Sequence, residues 1–406
     1  MLALLVFLSF NFQLEPLTAT NEAIPDHMEA TASNMTDAAP VQGIAAECGT
    51  IFPYIYVYDI PTTLLSAPTD FNWRRWEGLE FVVWQSMSTY ECTTKDPAQA
   101  QFFFIPHITS MIYEQTGYDR STTTHHFLNI IHHVIQTWPY FNQTSGINHV
   151  TAFGHDYFRI FMSEEDYKSI PLPVLRNVIF IINQGYDSSS PAVHVEFYGN
   201  KDIIVAPPTD DIQAIWESKG AQRKPWAERP HLFMFRGTIY PENLVYSGGV
   251  RQKLYEHYLL DPEVIYGEYS ADYYMEFMDA KFCLYIMAWA PWSERLADIL
   301  SAACIPVVIS DNYLLPYWQD LDWRAFSFRI AQADVLRNSL KLKSFLRNVT
   351  AEQAERMESY LQHQRHGLVW HLPPQQGDAF YRTMKLLGKK TTTYRPLSND
   401  FWTPLE

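Results

Sequence analysis

Residues 293–309 read SERLADILSAACIPVVI, and this stretch decides the fold. Ser293 is a residue type that caps helices, and the apolar spacing after it predicts a helix over 294–303. The β-branched run 305–309 predicts a buried strand, with Pro306 near its start, where a missing N–H is tolerated. A helix that leads directly into a buried strand is typical of a βαβ unit. The stretch therefore predicts a parallel sheet covered by helices.

Similar short apolar strands are predicted on both sides of this unit. They lie at 54–58, 101–105, 150–153, 178–182, 202–205 and 232–235. Helical spacing is clearest at 124–137 and 249–258, whereas 273–284 fits either a helix or a strand. The segments from 350 to about 365 and 378–387 also have helical patterns. Strands that alternate with helices predict an α/β fold with mostly parallel sheets.

The charge of the chain is unevenly distributed. Its 406 residues include 30 Lys and Arg against 45 Asp and Glu, a formal net charge of −15. No Lys or Arg precedes Arg74, and eight acidic residues do, so about half of the net charge lies in a segment without basic residues. An acidic chain of this kind is a poor partner for nucleic acid, which requires a basic surface.

The chain starts with MLALLVFLSF, an apolar run too short for a bilayer span of about 20 residues. No basic residue precedes it. A signal peptide, the end of a truncated signal anchor and the apolar start of a soluble protein all remain open. If the chain is secretory, three sequons predict glycosylation. They start at Asn34, Asn142 and Asn348.

Four cysteines occur without CxxC spacing, which argues against a zinc site. They are Cys48, Cys92, Cys283 and Cys304. One or two disulfides are compatible with a secretory chain. Buried free thiols are an equally good interpretation for Cys283 and Cys304, which lie in apolar surroundings.

Two α/β units in tandem place a cleft between them, and ligands bind at the carboxyl ends of parallel strands. Arg236-Gly237, Pro291–Asp298 and Ser310 all follow or flank predicted strands. Arg295, in the first turn of the predicted helix, suits a bidentate phosphate contact. Asp298 follows three residues later and suits the two hydroxyls of a ribose. The alternatives are a capped helix with a surface Arg–Asp pair and, at Gly237, an ordinary turn.

Residues 281–323, KFCLYIMAWAPWSERLADILSAACIPVVISDNYLLPYWQDLDW, resemble the signature of the exostosin family of glycosyltransferases. The shared features are the FCL strand, a Ser-x-Arg-Leu helix start, an acidic residue, and a Cys-x-Pro-Val strand followed by Ser-Asp. Upstream segments resemble the family in the same order, and the resemblance extends over about residues 51–365. These segments are IYVYDIP (55–61), DPAQAQFFFIPH (96–107), WPYFNQTSGINHVTAFGHDYF (138–158), KDIIVAPP (201–208) and RPHLFMFRGT (229–238).

The resemblance implies two facing Rossmann-like domains of the glycosyltransferase B type with a C-terminal helical segment. The segments expected are a signal peptide or signal-anchor remnant (1–19), a flexible acidic stem (20–50), an N-terminal acceptor-side domain (51–225), a C-terminal nucleotide-sugar-binding domain (226–349) and C-terminal helices (350–406). It also implies a type II Golgi protein, anchored through its N-terminus and facing the lumen.

The implied reaction transfers a sugar, with inversion, from a nucleotide sugar to a glycan or glycoprotein acceptor. The donor is usually a UDP-sugar, and no metal cofactor is expected. By position, Arg236 and Arg295 would neutralise the diphosphate and Asp298 would hold the ribose. Gly237, Ser293 and Ser310 would complete the donor pocket.

The reaction also requires a base on the acceptor hydroxyl. Asp156 and His155 follow the predicted strand 150–153, and we favour Asp156, with His155 as the alternative. A turn pair that closes the loop through local hydrogen bonds explains the same residues equally well.

The sequence departs from the family pattern in the loop before Pro291. Residues 286–290 read IMAWA where the family usually has Pro-Arg-Gly-Asp-Thr, so the loop lacks an Arg, a Gly and polar side chains. Ile147-Asn148 likewise replace an Arg-Asp pair. These changes fit an altered donor specificity or a weakened donor site, which leaves a catalytically inactive glycan-binding module as the second hypothesis. An oxidoreductase is disfavoured because no GxGxxG follows any predicted strand.

Overall fold

The computed structural model describes residues 44–65, 71–117, 119–155, 175, 177–185, 201–311 and 313–393. The expected leader (1–19), most of the expected stem (20–50), Asn34 and Asp156 lie outside these residues. The two sheets described below belong to one unit, Gly43–Glu406.

The first half of the chain forms a parallel sheet of six described strands in the order β2-β1-β3-β4-β5-β6. Its strands are short and rich in aromatic and β-branched residues, as the sequence predicts. They are β1 (Ile55–Val57), β2 (Thr93–Thr94), β3 (Phe102–Phe104), β4 (His149–Phe153), β5 (Ile179–Ile182) and β6 (Ile203–Ile204).

The second half forms a separate parallel sheet of five described strands in the order β11-β10-β9-β7-β8. Its strands are β7 (His231–Arg236), β8 (Val264–Gly267), β9 (Ala280–Ile286), β10 (Ile305–Ile309) and β11 (Phe328–Arg329). The ambiguous segment 273–284 turns out to contain both elements, a helix over Tyr273–Asp279 and then β9.

Helices separate most of the described strands in both halves, although the described residues of the β2–β3 and β10–β11 connections contain no α-helix. The α-helices are α1 (Leu79–Met87), α2 (Thr109–Gln115), α3 (Arg120–Thr137), α4 (Tyr140–Thr144), α5 (Ile212–Ser218), α6 (Val250–Tyr258), α7 (Tyr273–Asp279), α8 (Arg295–Ser301), α9 (Gln332–Arg337), α10 (Leu340–Arg347), α11 (Ala351–Gln364) and α12 (Ala379–Thr393). None of the helices within the described part of the chain combines the length and the apolar character needed to cross a bilayer.

The two sheets repeat one topology. In each, the first strand is flanked by the second strand on one side and the third on the other, which is the doubly wound order 2-1-3-4-5. The chain order therefore reverses between β1 and β3 in the first sheet and between β7 and β9 in the second. The predicted α/β fold with two Rossmann-like domains is confirmed.

Apolar packing is continuous between the two halves. One buried cluster contains Ile55 and Leu79 of the first half together with Cys283, Leu296 and Phe380 of the second half and the C-terminal helices. The outer faces of the two sheets have clusters of their own. A shared core restrains the two sheets relative to one another far more than a linker would.

The C-terminal helix α12 returns to the first half of the chain. The ring of Tyr381 packs edge-on against Phe52 at 6.0 Å, and its hydroxyl donates to Glu91 at 2.7 Å. Phe380 packs edge-on against Tyr90 at 5.4 Å. The final helical segment therefore packs against the first half of the chain as well as following the second half in sequence.

All four cysteines form disulfides, Cys48–Cys92 in the first half and Cys283–Cys304 in the second. The free-thiol interpretation of Cys283 and Cys304 is therefore wrong. Adjacent strands β9 and β10 bring the two residues together, which an apolar sequence context alone does not reveal.

Candidate functional site

A cleft of about 340 Å³ opens at the strand-order reversal of the second sheet. Thr238, just beyond β7, and Ala288, just beyond β9, lie on its wall, at the carboxyl edge where open α/β sheets bind ligands. Its lining residues are Arg75, Thr238, Tyr246, Arg251, Tyr269, Ala288, Trp289, Ala290, Trp292, Ser293, Glu294 and Arg295. Three arginines and one carboxylate make this wall cationic.

Arg295 is the first residue of α8 and lies almost wholly buried in the wall. Its guanidinium lies over the ring of Phe235 at 4.6 Å and donates to the hydroxyl of Tyr273 at 3.3 Å. Its Nε has no hydrogen-bond partner. Burial lowers the pKa of this guanidinium, but the hydroxyls of Tyr273 and Tyr269 outweigh that effect, so its pKa is raised overall. The group stays charged and retains an unused donor.

Arg251, on α6, is a second buried arginine that the sequence reasoning missed. It donates to the carbonyl oxygens of Ile286, Met287 and Thr238 at 2.8–3.0 Å. Burial and the nearby charge of Arg295 lower its pKa. Two buried guanidinium groups that repel one another are both stabilised by an anion bound between them. No local pattern marks Arg251, because only the fold carries α6 to the ends of β7 and β9.

The loop after β9 is held by hydrogen bonds rather than by phosphate-binding residues. The Oγ of Ser310 and the hydroxyl of Tyr285 both donate to the carbonyl of Pro291, at 2.7 and 2.9 Å. The ring of Trp289 is half exposed and packs edge-on against Tyr246 at 5.0 Å. Ser310 is buried and supports this loop from behind, outside the residues that line the cleft.

Ser293 lines the cleft but does not cap the helix. Helix α8 begins at Arg295, and its preceding residue, Glu294, makes no side-chain cap bond. The predicted capping role of Ser293 is therefore wrong. Its Oγ is buried without a hydrogen-bond partner and lies on the cleft wall, so it is available for a hydrogen bond to a ligand in the cleft. The helix has only two turns, so the arginine side chains supply most of the positive charge.

Arg236 ends β7 but is not among the residues that line the cleft. It makes a bidentate ion pair with Glu276 of α7, at 2.6 and 2.8 Å. A role on the diphosphate stays a prediction and requires Arg236 to exchange this partner. Gly237 has a clearer role, because a Cβ there would lie 2.6 Å from Nη2 of Arg295. The glycine leaves room for the buried guanidinium.

Asp298 is buried on α8, and both of its carboxylate oxygens already accept hydrogen bonds. Thr209 donates to one oxygen, and the hydroxyl of Tyr273 donates to the other at 2.7 Å. Burial raises the pKa of this carboxyl. Because Asp298 lies outside the cleft lining, its assignment to the ribose stays a prediction. Glu294 does line the cleft.

The first sheet also has a polar carboxyl edge. Glu80, on α1, accepts hydrogen bonds from the backbone N–H and the Oγ of Ser110, and lies 3.4 Å from Nδ1 of His107. His155 is buried beside them, and its backbone N–H donates to Ser110 at 3.1 Å. The structure thus places His155 at the strand ends as expected. Asp156, the favoured base, lies outside the described residues, so neither role is tested.

Two other expectations concern residues away from the cleft. Asn142 and Asn348 are exposed, as glycosylation requires, and their modification stays a prediction. Within the described part of the chain, no group of three or more His, Cys, Asp or Glu side chains is placed to hold a metal ion.

Two doubly wound parallel sheets define a two-domain α/β protein with a cationic cleft at the edge of its second sheet. The Exostosin GT47 domain matches residues 52–348, which is most of the chain. The chain therefore belongs to the exostosin family of glycosyltransferases, and the expected membership is confirmed.

Plant enzymes are among the relatives of this chain. It is 28% identical over 364 residues to the probable glucuronoxylan glucuronosyltransferase IRX7 of Arabidopsis thaliana, covering 86% of this chain and 79% of that protein. A probable glucuronosyltransferase of Oryza sativa subsp. japonica is 27% identical over 351 residues, covering 83% and 80%. The probable beta-1,4-xylosyltransferase IRX10L of Arabidopsis thaliana is 24% identical over 384 residues, covering 89% and 88%.

Solved structures resemble the chain more distantly. Anabaena Alr3699/HepE, in complex with UDP-glucose, gives a TM-score of 0.39 at 9% identity, covering 83% of this chain and 98% of that one. A glycosyltransferase from Rickettsia africae ESF-5 gives a TM-score of 0.35 at 10% identity, covering 84% and 100%.

Proposed function

We propose that this glycosyltransferase transfers a sugar, with inversion, from a UDP-sugar to a glycan acceptor. The observation that carries the proposal is the pair Arg251 and Arg295, two buried guanidinium groups in one cleft with no ion pair among the described residues. A diphosphate supplies the negative charge that such a pair lacks. The named relatives, which are glucuronosyl- and xylosyltransferases, support a nucleotide sugar as its carrier.

The chemistry of the reaction follows from that binding mode. The acceptor hydroxyl displaces the diphosphate in one step, and the anomeric centre inverts because attack comes from the opposite side. The two arginines stabilise the charge that develops on the leaving diphosphate, so no metal ion is needed for that purpose. Asp156 or His155 takes the proton of the acceptor hydroxyl.

We also propose that the chain acts on the lumenal side of the Golgi membrane. Two disulfides and two exposed sequons support an oxidising, glycosylating compartment. The apolar N-terminal run would provide the membrane attachment.

Calorimetry with UDP, together with a screen of UDP-sugar hydrolysis in the presence of a chelator, tests the donor site. We expect the native chain to bind UDP, and Arg295→Ala to lower the affinity about 100-fold, because it removes a desolvated charge from the phosphate contact. Arg337→Ala is the matched control, since Arg337 is exposed on α9 of the same half and pairs with Asp334. Arg295→Lys keeps the positive charge and should lose less affinity than Arg295→Ala. Residual UDP binding by this variant shows that the site still folds when Arg295 is replaced.

The apolar loop 286–290 favours a second candidate, a glycan-binding module without turnover. Its Trp289 offers an exposed ring for a sugar face. If the native chain does not bind UDP at millimolar concentration, the transferase proposal is contradicted and the glycan-binding module is favoured.

A further inference from the structure

A third arginine reaches the cleft from the opposite half of the chain. Arg75 precedes α1 in the first half, whereas every other lining residue belongs to the second half. About half of its side chain is exposed (53%), in contrast to the buried Arg251 and Arg295. Arg75 directly precedes the short helical turn that leads into α1, so the first half of the chain contributes this part of the cleft wall.

Glu77 forms an ion pair with Arg75. Its Oε1 lies 3.2 Å from Nε of Arg75, and only 5% of its side chain is exposed. Burial raises the pKa of Glu77, and the charge of Arg75 partly offsets that effect, whereas Glu114 adds to it. The ion pair is made through Nε, and neither Nη1 nor Nη2 of Arg75 donates a hydrogen bond within the described residues. This arrangement leaves the fork of the guanidinium available for a ligand.

The charges of the cleft wall favour an anionic ligand at this point. Arg75, Arg251 and Arg295 contribute three positive charges, and Glu294 is the one carboxylate in the lining. An Nη fork is complementary to two oxygens of one phosphate, which makes such contacts stronger than a single hydrogen bond. A diphosphate held by Arg251 and Arg295 on one wall therefore presents its remaining oxygens to the other wall.

We propose that Arg75 binds the diphosphate of the donor across the cleft, and that Glu77 is its positioning residue. This inference rests on the proposed function, since it concerns the same nucleotide sugar. Donor binding then connects the two halves of the chain through one ligand. Arg75 also adds a positive charge where the leaving diphosphate gains negative charge, which stabilises the transition state.

Arg75→Ala and Arg74→Ala form a matched pair that tests the inference. Arg74 is the neighbouring arginine and is similarly exposed, at 47%. It stacks on Trp73 at 4.5 Å, lies 3.9 Å from Asp210 and is outside the cleft lining. We expect Arg75→Ala to weaken UDP binding about tenfold in calorimetry, the size typical of a charge-assisted hydrogen bond. Arg74→Ala should leave UDP binding unchanged.

Uridine, which has no phosphate, separates a phosphate contact from a structural effect. The affinity for uridine should be the same in Arg75→Ala and the native chain. An equal loss for UDP and uridine would overturn the inference, since Arg75 would then act through the shape of the pocket. Glu77→Gln should weaken UDP binding a few-fold in the native background and have no further effect in Arg75→Ala.

The experiments distinguish this inference from the proposed function. If Arg295→Ala loses UDP and Arg75→Ala binds it as the native chain does, the inference is wrong and the proposed function stands. If the native chain binds no UDP, both fail.

Discussion

The two sheets have the same strand order, but the side chains at their carboxyl edges differ. Those of the first sheet are paired with one another, and the arginines of the second are not. At the edge of the first sheet, Glu80 and Ser110 satisfy one another, and Ser110 also accepts from the backbone of His155. At the edge of the second sheet, Arg251 and Arg295 are buried without a carboxylate partner in an ion pair among the described residues. Paired groups stabilise the fold, whereas unpaired charges of one sign bind a ligand.

This difference also separates positioning from binding in the proposed reaction. The first edge holds the backbone of His155 through its hydrogen bond to Ser110. The second edge supplies the charge that a diphosphate requires. Substitutions in the first edge should therefore change stability more than affinity, and those in the second should do the reverse.

The largest expected effect on stability is that of Glu80→Ala. The substitution leaves the buried N–H and Oγ of Ser110 without their acceptor, so the free energy of unfolding should fall by about 3 kcal/mol. Chemical denaturation measures this loss, and Glu355→Ala, at an exposed position on α11, is the control. A variant as stable as the native chain that nonetheless loses turnover would show that Glu80 acts on the substrate instead.

A smaller effect should appear in the pH dependence of stability. His149, at the start of β4, is buried with its Nε2 2.7 Å from the hydroxyl of Tyr58, and burial lowers its pKa to about 3. The unfolded chain takes up this proton near pH 6.5, so the stability that neutral His149 contributes is present above pH 6.5 and lost as the pH falls toward 3. Burial also lowers the pKa of His126, to about 4, with the same sign.

In the native chain, protonation linked to His149 should lower the free energy of unfolding by about 2 kcal/mol between pH 7 and pH 5. In His149→Gln this part of the loss should be absent. Denaturation at the two pH values measures the difference, with His132→Gln on the exposed face of α3 as the control. The affinity of folded protein for UDP should change little from this cause, because Arg295 remains charged. An unaltered pH dependence in His149→Gln would show that His149 is not the group responsible.

The smallest expected effect is that of Gly237→Ala, which tests the second edge. The new Cβ would lie 2.6 Å from Nη2 of Arg295, which is too close for either group to stay in place, so the guanidinium must shift. We expect UDP affinity to fall about fivefold, with little change in thermal stability. In the Arg295→Ala background, the same substitution should cost nothing further. A full additional loss in that double variant would show that the glycine acts on the ligand directly.

Local sequence determined the elements of this protein. Apolar patterning is a property of neighbouring residues, so it predicted β1, β3, β7 and β10 close to their observed bounds, and the end of α3, which starts four residues earlier than predicted. The family signature likewise identified Arg295 and Ser293 on the cleft wall, because both lie within a few residues of β9 and α8. Even here, the predicted cap at Ser293 was wrong, since the helix starts at Arg295, one residue later than predicted.

Tertiary structure decided which of these elements meet. Arg75, Arg251 and Arg295 are far apart in sequence, and only the packing of the first half against the second brings them to one cleft. The same packing turned Arg236 toward Glu276 and joined Cys283 to Cys304. Contacts between distant residues depend on the order of the strands, which no short stretch of sequence contains. The sequence by itself therefore determined the class of fold and the family, and the packing of the two halves determined which charges face the ligand.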